Sequence, residues 1–381
     1  MKKIFIISAS LFGITLLFLG VYNLAFRSNP NNPTVDAKKQ VEAKQTADKL
    51  FTESAKVSAI SPVTDVPAYG STVIDDSHIA YFNNRSLKRA SLGGGGEEVL
   101  IKDLPGKILQ AVWSPDKTKT LVLFGTDSGE RWFLLTLADG SVKPLKSGIE
   151  SPTWSNLSER IFYLYSDPSG KKTEIDSAKP DGSDWKTVAL ITVQNASLAT
   201  IPSSAILSFW NKPSAFEETS LFTVPISGGD ATKIFSGKFG AGYSWSPDGT
   251  NILVSNTLSK GGGEVRLGIA NQSGGEFRTV QAPTMISKVV WSKDGKTVYY
   301  ALPLSIPENS VLPNDYFSRP IHTQDSFWKM DITTGKSDRL VDPNEIDGGY
   351  DSIDLFLDRN ESFLYFTDRT SGKLYRIKLG S

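Results

Sequence analysis

Trp245-Ser246-Pro247-Asp248-Gly249, followed by Thr250-Asn251-Ile252-Leu253-Val254, reads as a tight turn feeding a β-strand. Proline presets φ for the second turn position, and glycine accepts the positive φ that other residues resist. Ile252 and Val254 then alternate as strand residues do. The element recurs at Trp113-Ser114-Pro115-Asp116, Trp154-Ser155-Asn156-Leu157 and Trp291-Ser292-Lys293-Asp294-Gly295, with a weaker copy at Phe356-Leu357-Asp358-Arg359-Asn360. The Trp spacings are 41 (113 to 154), 91 (154 to 245) and 46 (245 to 291). The gap of 91 spans two periods, and Thr200 to Ser204 followed by Ala205 to Phe209 supplies the worn copy inside it. Another worn copy stands at Asp75-Asp76-Ser77 before His78 to Phe82, which makes seven.

Each copy continues alike. In the second unit, Leu121–Phe124, Glu130–Leu137 and Val142–Leu145 follow the strand Ile108–Trp113, with a turn at Asp139-Gly140. The fifth unit repeats the plan with Ile252–Val254, Val265–Ala270, the turn Ser273-Gly274-Gly275 and Phe277–Val280. Four strands per unit of about 40 residues predict an all-β chain, a seven-bladed β-propeller of four-stranded antiparallel blades. The last unit has Phe363–Thr367 and Lys373–Leu379 but lacks an outermost strand. A segment near Lys56–Pro62 is expected to supply it and lock the ring.

Trp-Ser-Pro-Asp-Gly before an apolar strand resembles the WD40-like (PD40) repeats of TolB-type β-propellers, found also in the propeller domains of prolyl-oligopeptidase-like proteases. The resemblance covers roughly residues 57–381, closely at 113 and 245, fairly at 154 and 291, and loosely in three copies. It implies protein binding or scaffolding, with scattered enzymes among its members.

Ile4 to Phe26 is a run of 23 residues without a charge, preceded by Lys2 and Lys3. About 20 apolar residues cross a bilayer as a helix, and flanking lysines favour the cytoplasmic side. A cleaved signal would usually be shorter and end in a small-x-small site. The expectation is an uncleaved single-pass anchor in residues 1–27 and a partly helical linker in 28–55. The propeller, 56–381, would then stand on the extracytoplasmic side of a bacterial cell envelope. Lys and Arg number 41, as do Asp and Glu, so the chain lacks the basic excess of a nucleic-acid binder. With no cysteine it has no disulfide, thiolate metal site or Cys nucleophile.

The recurrent Trp113, Pro115, Asp116, Trp154, Trp245, Pro247, Asp248, Trp291 and Asp294 are read as structural. A residue needed in every unit serves the unit. The Trp side chains would pack between blades and the Asp side chains would close the turns. The two histidines, His78 and His322, have no carboxylates at metal-ligand spacing, so no metal is expected. No Gly-x-Ser-x-Gly elbow exists for a Ser-His-Asp site, and Gly93–Gly96 and Gly261–Gly263 are not followed by Lys-Ser/Thr as a phosphate loop would be. No cofactor and no catalytic residue is assigned.

The departure from the period points to function. Trp291 to Phe356 is 65 residues, and the excess falls at Pro303 to His322, between the second and third strands of unit six. Unit four carries an unusual loop on the same expected rim, Trp210 to Glu218. Trp210, Phe216, Tyr316 and Phe317, with Lys212, Arg319 and His322, have the composition of a rim that binds a protein or cell-envelope partner. The alternatives are a lid over the channel mouth or plain surface decoration. An envelope hydrolase or lyase with a channel site is the competing function. Asp351 and Asp354, which flank the last inner strand, are the carboxylates nearest to such a site, and both can equally be structural.

Overall fold

A computed structural model describes residues 60–166, 173–318, 321–346 and 348–380. The expected membrane helix and linker fall on residues 1–55, outside the described residues. The single-pass membrane localisation is corrected: no helix among the described residues is long and apolar enough to cross a membrane. The α-helix α1 (Asn314–Ser318) has five residues, about 7.5 Å at 1.5 Å per residue, against a hydrocarbon core of about 30 Å.

The described chain begins with β1 (Ile60–Pro67). The first four-stranded sheet holds β2 (Tyr69–Val73), β3 (His78–Asn83), β4 (Ser86–Ser91) and β5 (Glu98–Ile101). The second holds β6 (Lys107–Trp113), β7 (Lys119–Thr126), β8 (Gly129–Thr136) and β9 (Val142–Pro144). The third holds β10 (Ile149–Trp154), β11 (Ile161–Ser166), β12 (Thr173–Ala178) and β13 (Lys186–Ile191). A seven-stranded sheet follows: β14 (Ala196–Thr200), β15 (Ile206–Asn211), β16 (Glu218–Pro225), β17 (Thr232–Trp245), β18 (Asn251–Ser259), β19 (Gly262–Asn271) and β20 (Arg278–Val280). Next come β21 (Val289–Trp291), β22 (Thr297–Ser305), β23 (Gln324–Asp331) and β24 (Ser337–Arg339). The last sheet has β25 (Ser352–Leu357), β26 (Phe363–Asp368) and β27 (Lys373–Lys378), with β1 on its outer edge.

Six sheets therefore stand among the described residues where seven separate ones were expected. The cause is β17, 14 residues long. Its first half pairs with β16 and its second half with β18, so no break divides the sheet. The first strands touch one another in succession, β2 with β6, β6 with β10, β10 with β14, β21 with β25, and β25 with β2. This is the radial arrangement of a β-propeller.

The turns explain themselves chemically. Ser246 Oγ accepts the Asn251 N–H (2.9 Å) and donates to Asp248 Oδ1 (2.5 Å), which also accepts the Thr250 N–H (3.1 Å). Ser114 and Asp116 repeat the pattern, and Asp294 accepts from the Lys296 and Thr297 amides. The turn carboxylates are thus spent on their own turns. Gly249 needs to be glycine, because φ is +73° and a Cβ would meet Pro202 O at 2.4 Å. Each repeat Trp ends its inner strand and packs on the neighbouring unit; Trp291 does so without a hydrogen bond from Nε1 among the described residues, and the other three bond to it. Trp113 Nε1 donates to Gly70 O (2.7 Å), Trp154 Nε1 to Val112 O (2.8 Å) and Trp245 Nε1 to Ser208 Oγ (2.9 Å).

The core lies between sheets. On β11, Ile161 and Tyr163 pack with Leu121 and Trp132 on one side, while Phe162 and Leu164 pack with Leu207 and Phe209 on the other. A strand buried on both faces reads as a continuous apolar run, and Ile161-Phe162-Tyr163-Leu164 does. Closure follows the expectation with a shifted boundary. β1 pairs antiparallel with β27 from Ile60↔Ile377 to Pro67↔Lys373. The locking strand therefore extends five residues beyond Pro62, and residues 56–59 lie outside the described residues.

Candidate functional site

The connection between β22 and β23 leaves the sheet at the strand ends opposite the Trp-Ser turns. Its helix α1 lies against neighbouring units. The Ala215 N–H donates to Asn314 Oδ1 (2.7 Å), so the unit-four loop and the insertion meet. The hairpin between β18 and β19 joins them: Gly261 N–H donates to Ala215 O (2.7 Å), and a Cβ on Gly262 would stand 2.9 Å from the Leu312 nitrogen.

The expected rim residues divide. Phe216 is 53% exposed and Phe317 60%, and Lys212 also faces solvent. Tyr316 is only 1% exposed and is corrected: it points inward and offers no surface to a partner. Trp210 is half-buried, edge-to-face with Tyr243 at 5.6 Å, and belongs to the core between units four and five. Arg319 lies outside the described residues. Three exposed side chains escaped the sequence reading, Leu258, Leu304 and Ile306. Leu258 stands beside the Gly261–Gly263 run, a hairpin signal, but nothing in the sequence places that hairpin beside the insertion.

Beneath the insertion lies an ionic cage. Lys288 is 0% exposed, at the end of a 3-10 turn (Ile286–Lys288) that leads into β21. Its ammonium donates to Asp325 Oδ2 (2.7 Å), Asp351 Oδ1 (2.9 Å), Ser352 O (2.9 Å) and Thr323 Oγ1 (3.0 Å). The Tyr316 hydroxyl donates to Asp351 Oδ1 (2.6 Å). On its other side, Asp351 Oδ2 faces Nδ1 of His322 (3.4 Å) and Nη1 of Arg369 (3.5 Å). Arg369 also donates to Ile321 O (2.9 Å) and Tyr316 O (2.8 Å) and lies over the Tyr316 ring. Two fixed cations face two carboxylates, so the cage balances.

Burial works to raise the Asp351 carboxyl, but the Lys288 charge and the Tyr316 hydroxyl outweigh it and hold it below the usual range. At Asp325, burial outweighs the pull of Lys288 and pushes the carboxyl up. Burial, then the Asp351 charge, drives the Tyr316 phenol upward, so it stays a donor. Sequence reading named Asp351 but missed Lys288, Asp325, Thr323 and Arg369. A lysine inside Met285-Ile286-Ser287-Lys288-Val289-Val290 is the available signal, since a charge entering an apolar strand needs a partner. Asp354 reaches solvent, while desolvation by the surrounding strands pushes its carboxyl up. His78 pairs with Asp75 (2.9 Å) inside its own turn.

A cleft of about 380 Å³ opens on the turn side between β18–β20 and the β21–β22 and β23–β24 turns. Its carboxylates Asp248 and Asp294 are the ones already bonded within their turns.

No protein-family model matches the chain, and no curated protein matches it. Solved structures do. An oligogalacturonate lyase in complex with manganese is 12% identical, with a TM-score of 0.61 over 86% of this chain and 95% of that one. An oligogalacturonate lyase from Vibrio parahaemolyticus is 13% identical, with 0.60 over 84% and 94%. The β-propeller domain of the Trilobed protease from Pyrococcus furiosus, which has an open velcro topology, is 15% identical, with 0.53 over 85% and 94%. These likenesses identify the fold, a β-propeller. They do not extend to manganese: among the described residues no group of three His, Cys, Asp or Glu could hold a metal ion. Where Asp325, Asp351 and Thr323 converge, the Lys288 ammonium already supplies the cation.

Proposed function

We propose that the chain is a seven-bladed propeller that binds a protein partner through the rim carrying the insertion. The seven-blade reading treats β17 as the outermost strand of one blade and the innermost of the next. It is supported by seven apolar clusters, each drawn from two successive units. The docking reading is carried by one observation. Phe216, Leu258, Leu304, Ile306 and Phe317 are exposed on three loops that touch one another. Apolar anchors at the centre of a surface, with Lys212 and His322 nearby, are what a docking patch requires. Placing a photo-crosslinking amino acid at Phe317 should capture a protein, and Phe216→Ala should abolish the capture. The same probe at Leu157, 76% exposed on the turn rim, serves as the control. Equal capture from both rims would end this reading.

A lyase reading has one observation in its favour. His322, half-exposed, is backed by the buried Asp351 and flanked by Arg369, an arrangement able to hold a carboxylate and move a proton. Oligogalacturonate incubated with the protein should then yield an unsaturated product with ultraviolet absorbance, and His322→Ala should abolish it. No product from the wild type would remove this reading.

A further inference from the structure

We propose that α1 with its flanking residues 311–318 is a lid, latched by the Lys288 cage, whose release uncovers the ends of the inner strands. The inference is independent of which ligand the rim takes.

Three observations carry it. First, the body is shaped to receive the segment. A Cβ on Gly240 would meet Pro313 Cδ at 2.7 Å, and one on Gly262 would meet the Leu312 nitrogen and Val311 Cα at 2.9 and 3.0 Å. A side chain at either position would prop the segment away. Second, the surface beneath is apolar and small. Leu312 and Tyr316 rest on Val265 and Met285, with Ile353 alongside. A residual cavity of about 30 Å³ separates Pro313 and Phe317 from Gly242 and Ile286. Third, the polar attachments include three that are separable, Asn314 to the Ala215 amide, Tyr316 to Asp351, and Arg369 to Tyr316 O, beside the Lys288 and Arg369 charges over the Tyr316 ring.

The latch is also imperfect. Among the described residues, Asp351 Oδ2 has only the long contacts to His322 and Arg369, and Ser352 Oγ and Ser287 Oγ have no hydrogen bond. Unsatisfied polar atoms disfavour the closed arrangement, whereas the cage and the apolar contacts favour it. Tyr316 and Phe317 stand edge-to-face at 5.6 Å, one turned in and one out. The hydroxyl that latches the segment therefore also aims the exposed ring.

Amide hydrogen exchange on the full-length protein tests this. Tyr316→Phe and Asn314→Ala each remove one attachment without changing a charge. Each should speed exchange in residues 311–318 about tenfold, the factor expected for one lost hydrogen bond. Residues 78–91 should keep wild-type rates. 1-Anilinonaphthalene-8-sulfonate fluorescence should rise in both variants as Val265, Met285 and Ile353 become accessible. Unchanged exchange in 311–318 in both variants overturns the lid. Faster exchange spread equally over 78–91 overturns it too, because the substitutions would then act on global stability.

Discussion

On the turn rim, Asp116, Asp248 and Asp294 each accept hydrogen bonds from residues two to three positions along the chain. On the opposite rim, Asp351 is met by a lysine 63 positions away and by a tyrosine 35 positions away. The first arrangement is local, repeated and exposed. The second is long-range, single and buried. The Ser246 hydroxyl, then nearby turn donors, holds the Asp248 carboxyl below its usual range, and the turn needs nothing further. The cage forms only where units six and seven pack together. Chemistry that recurs in every unit maintains the unit, so individuality must be sought where the repeat is broken.

Four experiments can break or sharpen that contrast. The largest effect belongs to closure. Deleting residues 60–67 removes the partner strand of β27 and uncovers Ala68, Tyr365 and Leu374, which pack with Val63, and thermal unfolding should fall by more than about 10 °C. An unchanged melting temperature would show that the ring does not depend on this strand.

Next is the repeated turn. Gly249→Ala should destabilise by about 2 kcal/mol, because the alanine must hold a positive φ against Pro202 O. Lys117 occupies the corresponding turn position at φ +61°, and Lys117→Gly should change stability by less than about 1 kcal/mol. Chemical denaturation of both variants measures the pair. Equal and opposite shifts would contradict the assignment of Gly249 to a steric role.

A smaller effect concerns Asp176, which is buried and whose carboxylate oxygens lie beyond hydrogen-bond distance of any partner among the described residues. Burial pushes its carboxyl up. A folded-state value raised above the unfolded one means stability is fully present in acid and is lost as pH rises through the folded value. The melting temperature of Asp176→Asn should therefore exceed wild type increasingly from acid toward neutral pH. A constant difference across that range would exclude titration as the cause.

The smallest stability effect is expected on the opposite rim. Phe216→Ala with Phe317→Ala should leave unfolding within about 0.5 kcal/mol, the usual range for exposed sites away from special features. A large loss of stability would move these side chains from the docking patch into the core.

Much of the fold was legible in the chain. Trp-Ser-Pro-Asp-Gly specifies its turn because the hydroxyl, the carboxylate and the permissive glycine are all within a few residues. Ile161 to Leu164 announces a strand buried on both faces. The shared strand β17 was not legible, since a 14-residue strand and two short ones separated by Gly237 and Gly240 look alike in composition. The rim was half legible. The length of the insertion marked it, and Phe216 and Phe317 are exposed as expected.

The sequence by itself determined the turns, the strand pattern and the place where the repeat is interrupted, because each depends on neighbours in the chain. Only the tertiary structure decided that Tyr316 faces inward while Phe317 faces out, and that Lys288 and Arg369 together meet Asp325 and Asp351. Those assignments depend on groups from different units meeting in a space that water has left. There an ammonium and two carboxylates must find one another or remain uncompensated.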